Sequence, residues 1–105
     1  MAKFLLTYLG GNRPTTPEAG KQHFAEYQAW LNEIGERAIS PANPLKATVR
    51  ITPNGEISHG SQIAMSGFTI IGASDMEEAI SMAKTCPFLS IGGTLEVSEL
   101  VDMAH

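Results

Sequence analysis

Residues 3–9, KFLLTYL, carry apolar side chains on both parities: Phe4, Leu6 and Tyr8 point one way, Leu5 and Leu9 the other. Successive strand side chains alternate across a sheet, so such a strand needs cover on both of its faces. Residues 66–73, SGFTIIGA, have the same character. A fold built on these two strands must place two apolar surfaces, not one, against something.

The helices supply one cover. Thr16 is positioned as an N-cap, with Pro17 at the first helical position and Glu18 in the first turn. The helix then runs over residues 17–34, with Phe24, Tyr27, Leu31 and Ile34 as its apolar stripe and Glu26, Glu33 and Glu36 outward, and Gly35 stops it. A second helix, DMEEAISMAKTC, opens on a capping box at Ser74 and Glu77, buries Met76, Ala79, Ile80 and Ala83, and ends at Pro87. Residues 46–52, KATVRIT, read as a strand with Ala47, Val49 and Ile51 on one face and Thr48, Arg50 and Thr52 on the other. Residues 36–46 before it, punctuated by Pro41 and Pro44, read as a connection, and Pro53 to Gly55 as a turn. After an extended or irregular stretch over 56–65, strand 66–73 follows, and residues 94–100, TLEVSEL, form the last strand with Leu95 and Val97 inward. Residues 101–105 are a tail.

The order is β-α-β-β-α-β, an α+β chain in the split βαβ arrangement, in which both helices lie on one side of an antiparallel sheet. The other face is left bare, and a second copy of the chain is its simplest cover. The size, 105 residues, fits one domain spanning 1–105, and the charged fraction of 17% is low enough for some surface to be covered by another chain.

Several function classes find no support. The net charge is −4 and the seven basic residues are scattered, which leaves no footprint for nucleic acid. The opening MAKFLLTYLGG is too short for a signal peptide, and no apolar run reaches the roughly 18 residues that span a bilayer. A single cysteine, Cys86, forms no internal disulfide, so a cytoplasmic protein is expected. Gly10-Gly11 follows the first strand without a third spaced glycine, and no phosphate-loop lysine pattern occurs, so no cofactor is expected.

Two histidines are candidates for chemistry. His23 lies at the edge of the first helix's apolar stripe, where it is either a packed imidazole or one that lines a site. His59, in the glycine-flanked ISHGSQ, is either an ordinary loop histidine or a catalytic one carried on a loop. Arg50 could hold a small carboxylate or pair with Glu96 across the sheet. Tyr8 and Trp30 are candidates to line a cavity, with core packing as the structural alternative. Cys86 reads as a small buried filler, since a helix C-terminus does not lower a thiol pKa. No metal site is expected, because one would need His23, His59 and a carboxylate around a single ion.

The sequence also resembles a family. The start KFLLTYLG, the His23 helix ending at Gly35, ATVRITPNG, and SGFTIIGASDMEEAISMAKTCPFLSIGGTLEV are similar to the YCII-related superfamily, particularly its DGPF-type branch. In the last block the family pattern is a glycine-aromatic strand, a D-x-x-E-A helix start, a C-P helix end and a G-x-x-E-V strand. The resemblance implies a ferredoxin-like fold paired sheet to sheet as a dimeric α+β barrel. It also implies a cleft between sheet and helices holding a histidine with a partner acid, and His23 is the position that resembles that histidine. No aspartate lies between His23 and Asp75, so Glu33 or Glu36 would have to stand in for the acid. At the place of the branch's D-G-P-F signature this chain has His59, Gly60, Ser61 and Gln62, so His59 replaces the aspartate and the proline and aromatic are lost.

Two readings of function follow. One is a cofactor-free acid–base enzyme for a small aromatic or carboxylate-bearing molecule, with His23 or His59 moving the proton and Arg50 holding an anion. It requires both imidazoles to converge on one ligand. The other is a non-catalytic homodimer, paired through the open sheet face, that binds a small ligand or serves as scaffold.

Overall fold

The computed structural model describes residues 1–103; Ala104 and His105, the end of the expected tail, lie outside the described residues. Strand β1 (Ala2–Gly10) leads into helix α1 (Pro17–Ile34) and then strand β2 (Ala38–Pro44). A short hairpin, β3 (Val49–Ile51) and β4 (Ile57–His59), precedes β5 (Met65–Ala73), helix α2 (Met76–Ala83) and β6 (Gly93–Glu99). The main sheet is antiparallel with order β2-β5-β1-β6, and β3 and β4 form a separate two-stranded sheet. This is the ferredoxin-like α+β arrangement with a hairpin inserted between its second and third sheet strands.

The second sheet strand is Ala38–Pro44, not residues 46–52. Its two prolines suit it to the position it takes, because β2 is an edge strand and needs only one row of donors. The β2–β5 register breaks between Ser40 and Asn43, which oppose Ile70 and Phe68. Pro41 and Ala42 bulge out against the single residue Thr69, and the carbonyl of Pro41 is thereby left free for side chains. Residues 49–51, expected as a sheet strand with a buried face, instead form one leg of the exposed hairpin.

Both helices cover one face of the sheet. Phe4, Leu6 and Ile71 are fully buried there, with Ala73, Ala79, Met82 and Trp30 around them. The side chain of Thr16 accepts from the Ala19 amide as N-cap of α1, and Gly35 takes a positive φ at its end. The buried stripe of α1 is Tyr27, Trp30, Leu31 and Ile34, while Phe24, 65% exposed, lies outside it. In α2 the N-cap is Asp75 rather than Ser74: Asp75 Oδ1 accepts from the Glu78 amide, and Glu78 reaches back to the Ser74 amide. Ala79, Met82 and Ala83 are the buried residues of that helix, and Met76 and Ile80 are partly open. The opposite sheet face carries Leu5, Leu9, Phe68 and Ile70, all half-buried, with no helix over it among the described residues.

Candidate functional site

A polar cluster lies between α1 and the sheet. It is a consequence of the β2 bulge, because the freed Pro41 carbonyl needs donors. Thr69, fully buried on β5, donates to it at 2.7 Å, and the Tyr27 hydroxyl donates to it at 3.0 Å. Tyr8 on β1 places its hydroxyl 2.5 Å from that of Tyr27 and 2.7 Å from Thr69 Oγ1. The Cys86 thiol donates toward the Tyr8 hydroxyl at 3.8 Å. Tyr27 and Thr69 donate to the carbonyl, the thiol donates toward Tyr8, and Tyr8 donates its single proton to either Tyr27 or Thr69. Every donor is then used, and only hydroxyl lone pairs stay open to a further partner.

Burial is the main cause that raises both phenols above their ordinary pKa, Tyr8 the more strongly. Burial also pushes the Cys86 thiol up, so it stays protonated and packed, as the filler reading expected. The Phe88 ring stacks on Tyr8 with centroids 4.8 Å apart. That ring fits because Gly11 and Gly93 lack side chains: a Cβ on either would collide with it.

His23 sits one turn before Tyr27 on α1. Four residues of helix rotate the chain to within about 40°, so the two share the sheet-facing side. The histidine is half-buried, and its Nδ1 is buried with no hydrogen-bond partner among the described residues. Glu33 is exposed and about 15 Å farther along the helix axis, and Glu36 lies beyond the helix end, so neither stands in as the acid beside His23. The polar group one turn away is the Tyr27 phenol.

The other candidates occupy different places. Trp30 is core, with Nε1 donating to the Met82 carbonyl and to Thr85 Oγ1, and this ties α1 to the end of α2. Arg50 and His59 are exposed on the hairpin; Arg50 Nε donates to Ser58 Oγ at 3.3 Å, while Glu96 lies on β6 in the other sheet. Within one chain, His23 is carried by helix α1 and His59 by the separate hairpin, and no contact between them brings the two imidazoles together among the described residues. Tyr27 and Thr69 were not singled out for chemistry from sequence. The i, i+4 spacing of His23 and Tyr27 was the available signal for the first, and nothing local marked Thr69. An apolar cleft of about 350 Å³ also opens between α2 and β6, lined by Met76, Ile80, Leu89, Leu95 and Val97 with Lys84 among them. It includes none of His23, His59, Arg50, Tyr8 and Trp30.

No protein-family model matches the chain. No curated protein matches it either. Among solved structures it is similar to 5-chloro-2-hydroxyhydroquinone dehydrochlorinase from Burkholderia phenoliruptrix AC1100, in complex with 2,5-dihydroxybenzoquinone. The TM-score is 0.56 at 20% identity, over 94% of this chain and 93% of that one. At this identity the likeness is one of fold.

Proposed function

We propose that the chain is a homodimer of the YCII-related kind, paired through its open sheet face, that binds a small hydroxylated ring compound beside His23. The observation that carries this is the buried, unpartnered Nδ1 of His23. A buried ring nitrogen without a partner costs on the order of 1–3 kcal/mol, and a ligand hydroxyl that donates to it removes that cost. Tyr27, one turn away on the same helix and only half-buried, adds a hydroxyl and aromatic surface. The compound bound by the structural neighbour, 2,5-dihydroxybenzoquinone, has the chemistry such a site would take: a flat ring whose acidic enol oxygens share a proton with an imidazole nitrogen, whichever of the two holds it.

The acid–base enzyme is the second reading, and the neighbour's dehydrochlorinase activity favours it. His23 would serve there as a base without an orienting carboxylate from Glu33 or Glu36, a weaker arrangement than a paired histidine. Binding without turnover is therefore the leading expectation. The test is a titration with 2,5-dihydroxybenzoquinone followed through the imidazole resonances, assigned with His23→Gln and His59→Gln. His23 should shift saturably, and His23→Gln should lose the binding. An unresponsive His23 would remove the reading. Chloride released from 5-chloro-2-hydroxyhydroquinone by the protein, and not by His23→Gln, would decide for the enzyme.

A further inference from the structure

The β3–β4 hairpin is the part of the molecule that the fold does not explain. Pairing Val49 with His59 and Ile51 with Ile57 puts these four residues on one face of the ribbon. Arg50 and Ser58 take the other face, joined by their hydrogen bond. The ribbon is thus amphipathic, yet its apolar face is open: Ile51 is 69% exposed, Ile57 65% and Val49 49%. A lone two-stranded hairpin is marginal in water, and one that leaves its apolar face wet is more so. It also projects. The Cα radius of gyration is 15.2 Å, against about 13 Å for a compact chain of this length.

Where the hairpin leaves the sheet is well defined. The Leu45 amide donates to Ser66 at 2.9 Å and the Gly10 amide to Ala64 at 3.3 Å, so both legs start at the end of the sheet where β1 finishes. Ala64 turns the chain with a positive φ of 55°, the one non-glycine residue to do so among those described. From this base a leg of about nine residues spans on the order of 30 Å, more than the roughly 19 Å width of a four-stranded sheet.

We propose that this hairpin is an arm that lies on a second copy of the chain, with Val49, Ile51 and Ile57 on that copy's open sheet face and His59 carried into the interface. The inference rests on the homodimer reading and says how that dimer is held. Area favours the two surfaces acting together. The three aliphatic residues, half to two-thirds open, offer on the order of 300 Å², well short of the about 800 Å² per partner of a standard interface. The sheet face with Leu5, Phe68 and Ile70 is the apolar surface that can supply the remainder. The second copy's hairpin would lie reciprocally, as a twofold contact requires.

Two measurements test the arm. Light scattering should show a wild-type dimer, and Ile51→Glu/Ile57→Glu should weaken it at least tenfold in dissociation constant with its circular dichroism unchanged, since both side chains are exposed within the protomer. A nitroxide on His59→Cys, mixed as unlabelled protein with ¹⁵N-labelled wild type, should broaden the amides of Leu5, Thr7 and Ile70 across the interface. A wild-type dimer without that broadening overturns the arm and leaves the dimer standing. A monomeric wild type overturns both. If the double variant fails to fold, the nitroxide measurement alone decides.

Discussion

The Pro41 carbonyl, Thr69, Tyr8, Tyr27 and Cys86 form a network whose protons are all engaged, and this fixes how the cluster responds to alkali. Both phenols are raised chiefly by burial, so the folded chain holds their protons at a pH where the unfolded chain gives them up. Above the ordinary phenol value near 10, the unfolded state therefore binds fewer protons than the folded one, and stability falls as pH rises. The contribution is complete below about pH 10 and is lost progressively as pH climbs toward the raised folded values, by up to about 1.4 kcal/mol per pH unit for each phenol. Tyr8 and Tyr27 are the two tyrosines of the chain, so tyrosinate absorbance at 295 nm reports on this cluster alone. The expected outcome is no ionisation until the circular dichroism signal collapses, with both transitions coincident. A phenol that titrates reversibly near pH 10 in the folded protein would mean that the cluster is open to water.

At the level of elements, what could be read in the sequence was whatever local chemistry decides. The ends of α1 are set by Thr16, Pro17 and Gly35, all within a residue of the boundary they make, and the structure places them there. The twofold apolar character of β1 and β5 likewise survives into the sheet, because alternation needs no partner to be visible. β2 was hidden because Pro41 and Pro44 argue against a strand everywhere except at an edge, and edge position is a property of the assembled sheet. The cluster was hidden for the same reason, since Thr69 meets Tyr8 and Tyr27 only through the β2 bulge. At α2 two caps compete within one residue, and geometry separates them. Asp75→Ala removes the 2.8 Å bond to the Glu78 amide and should cost about 1 kcal/mol in urea unfolding. Ser74→Ala leaves the Ser74 backbone donor to Glu78 in place and should cost less. Equal losses would return the cap to Ser74. That donor, with the Arg37 ion pair, holds the Glu78 carboxyl below its usual range, so its contribution is present above ordinary carboxylate values and fades as pH falls through the lowered one.

For the whole molecule, the two faces of β1 make a comparison that needs no assumed ligand. Leu6 and Leu5 are neighbours of the same chemistry on one strand, but Leu6 is fully buried beneath the helices while Leu5 faces the uncovered side. Leu6→Ala removes core atoms inside the protomer and should cost about 2–5 kcal/mol, which lowers Tm by roughly 10 °C or more in a domain of this size. That loss belongs to the folded chain itself and should be the same at every protein concentration. Leu5→Ala should act differently if a second copy covers the sheet. In dilute protein it should cost under about 1 kcal/mol, and its main effect should be on the rise of Tm with concentration that association gives the wild type. Melting both variants and the wild type across a wide concentration series separates the cases. A Leu5→Ala loss that is large and independent of concentration would show that the face is covered within the protomer, and the twofold pairing of sheets would then have no surface left to use.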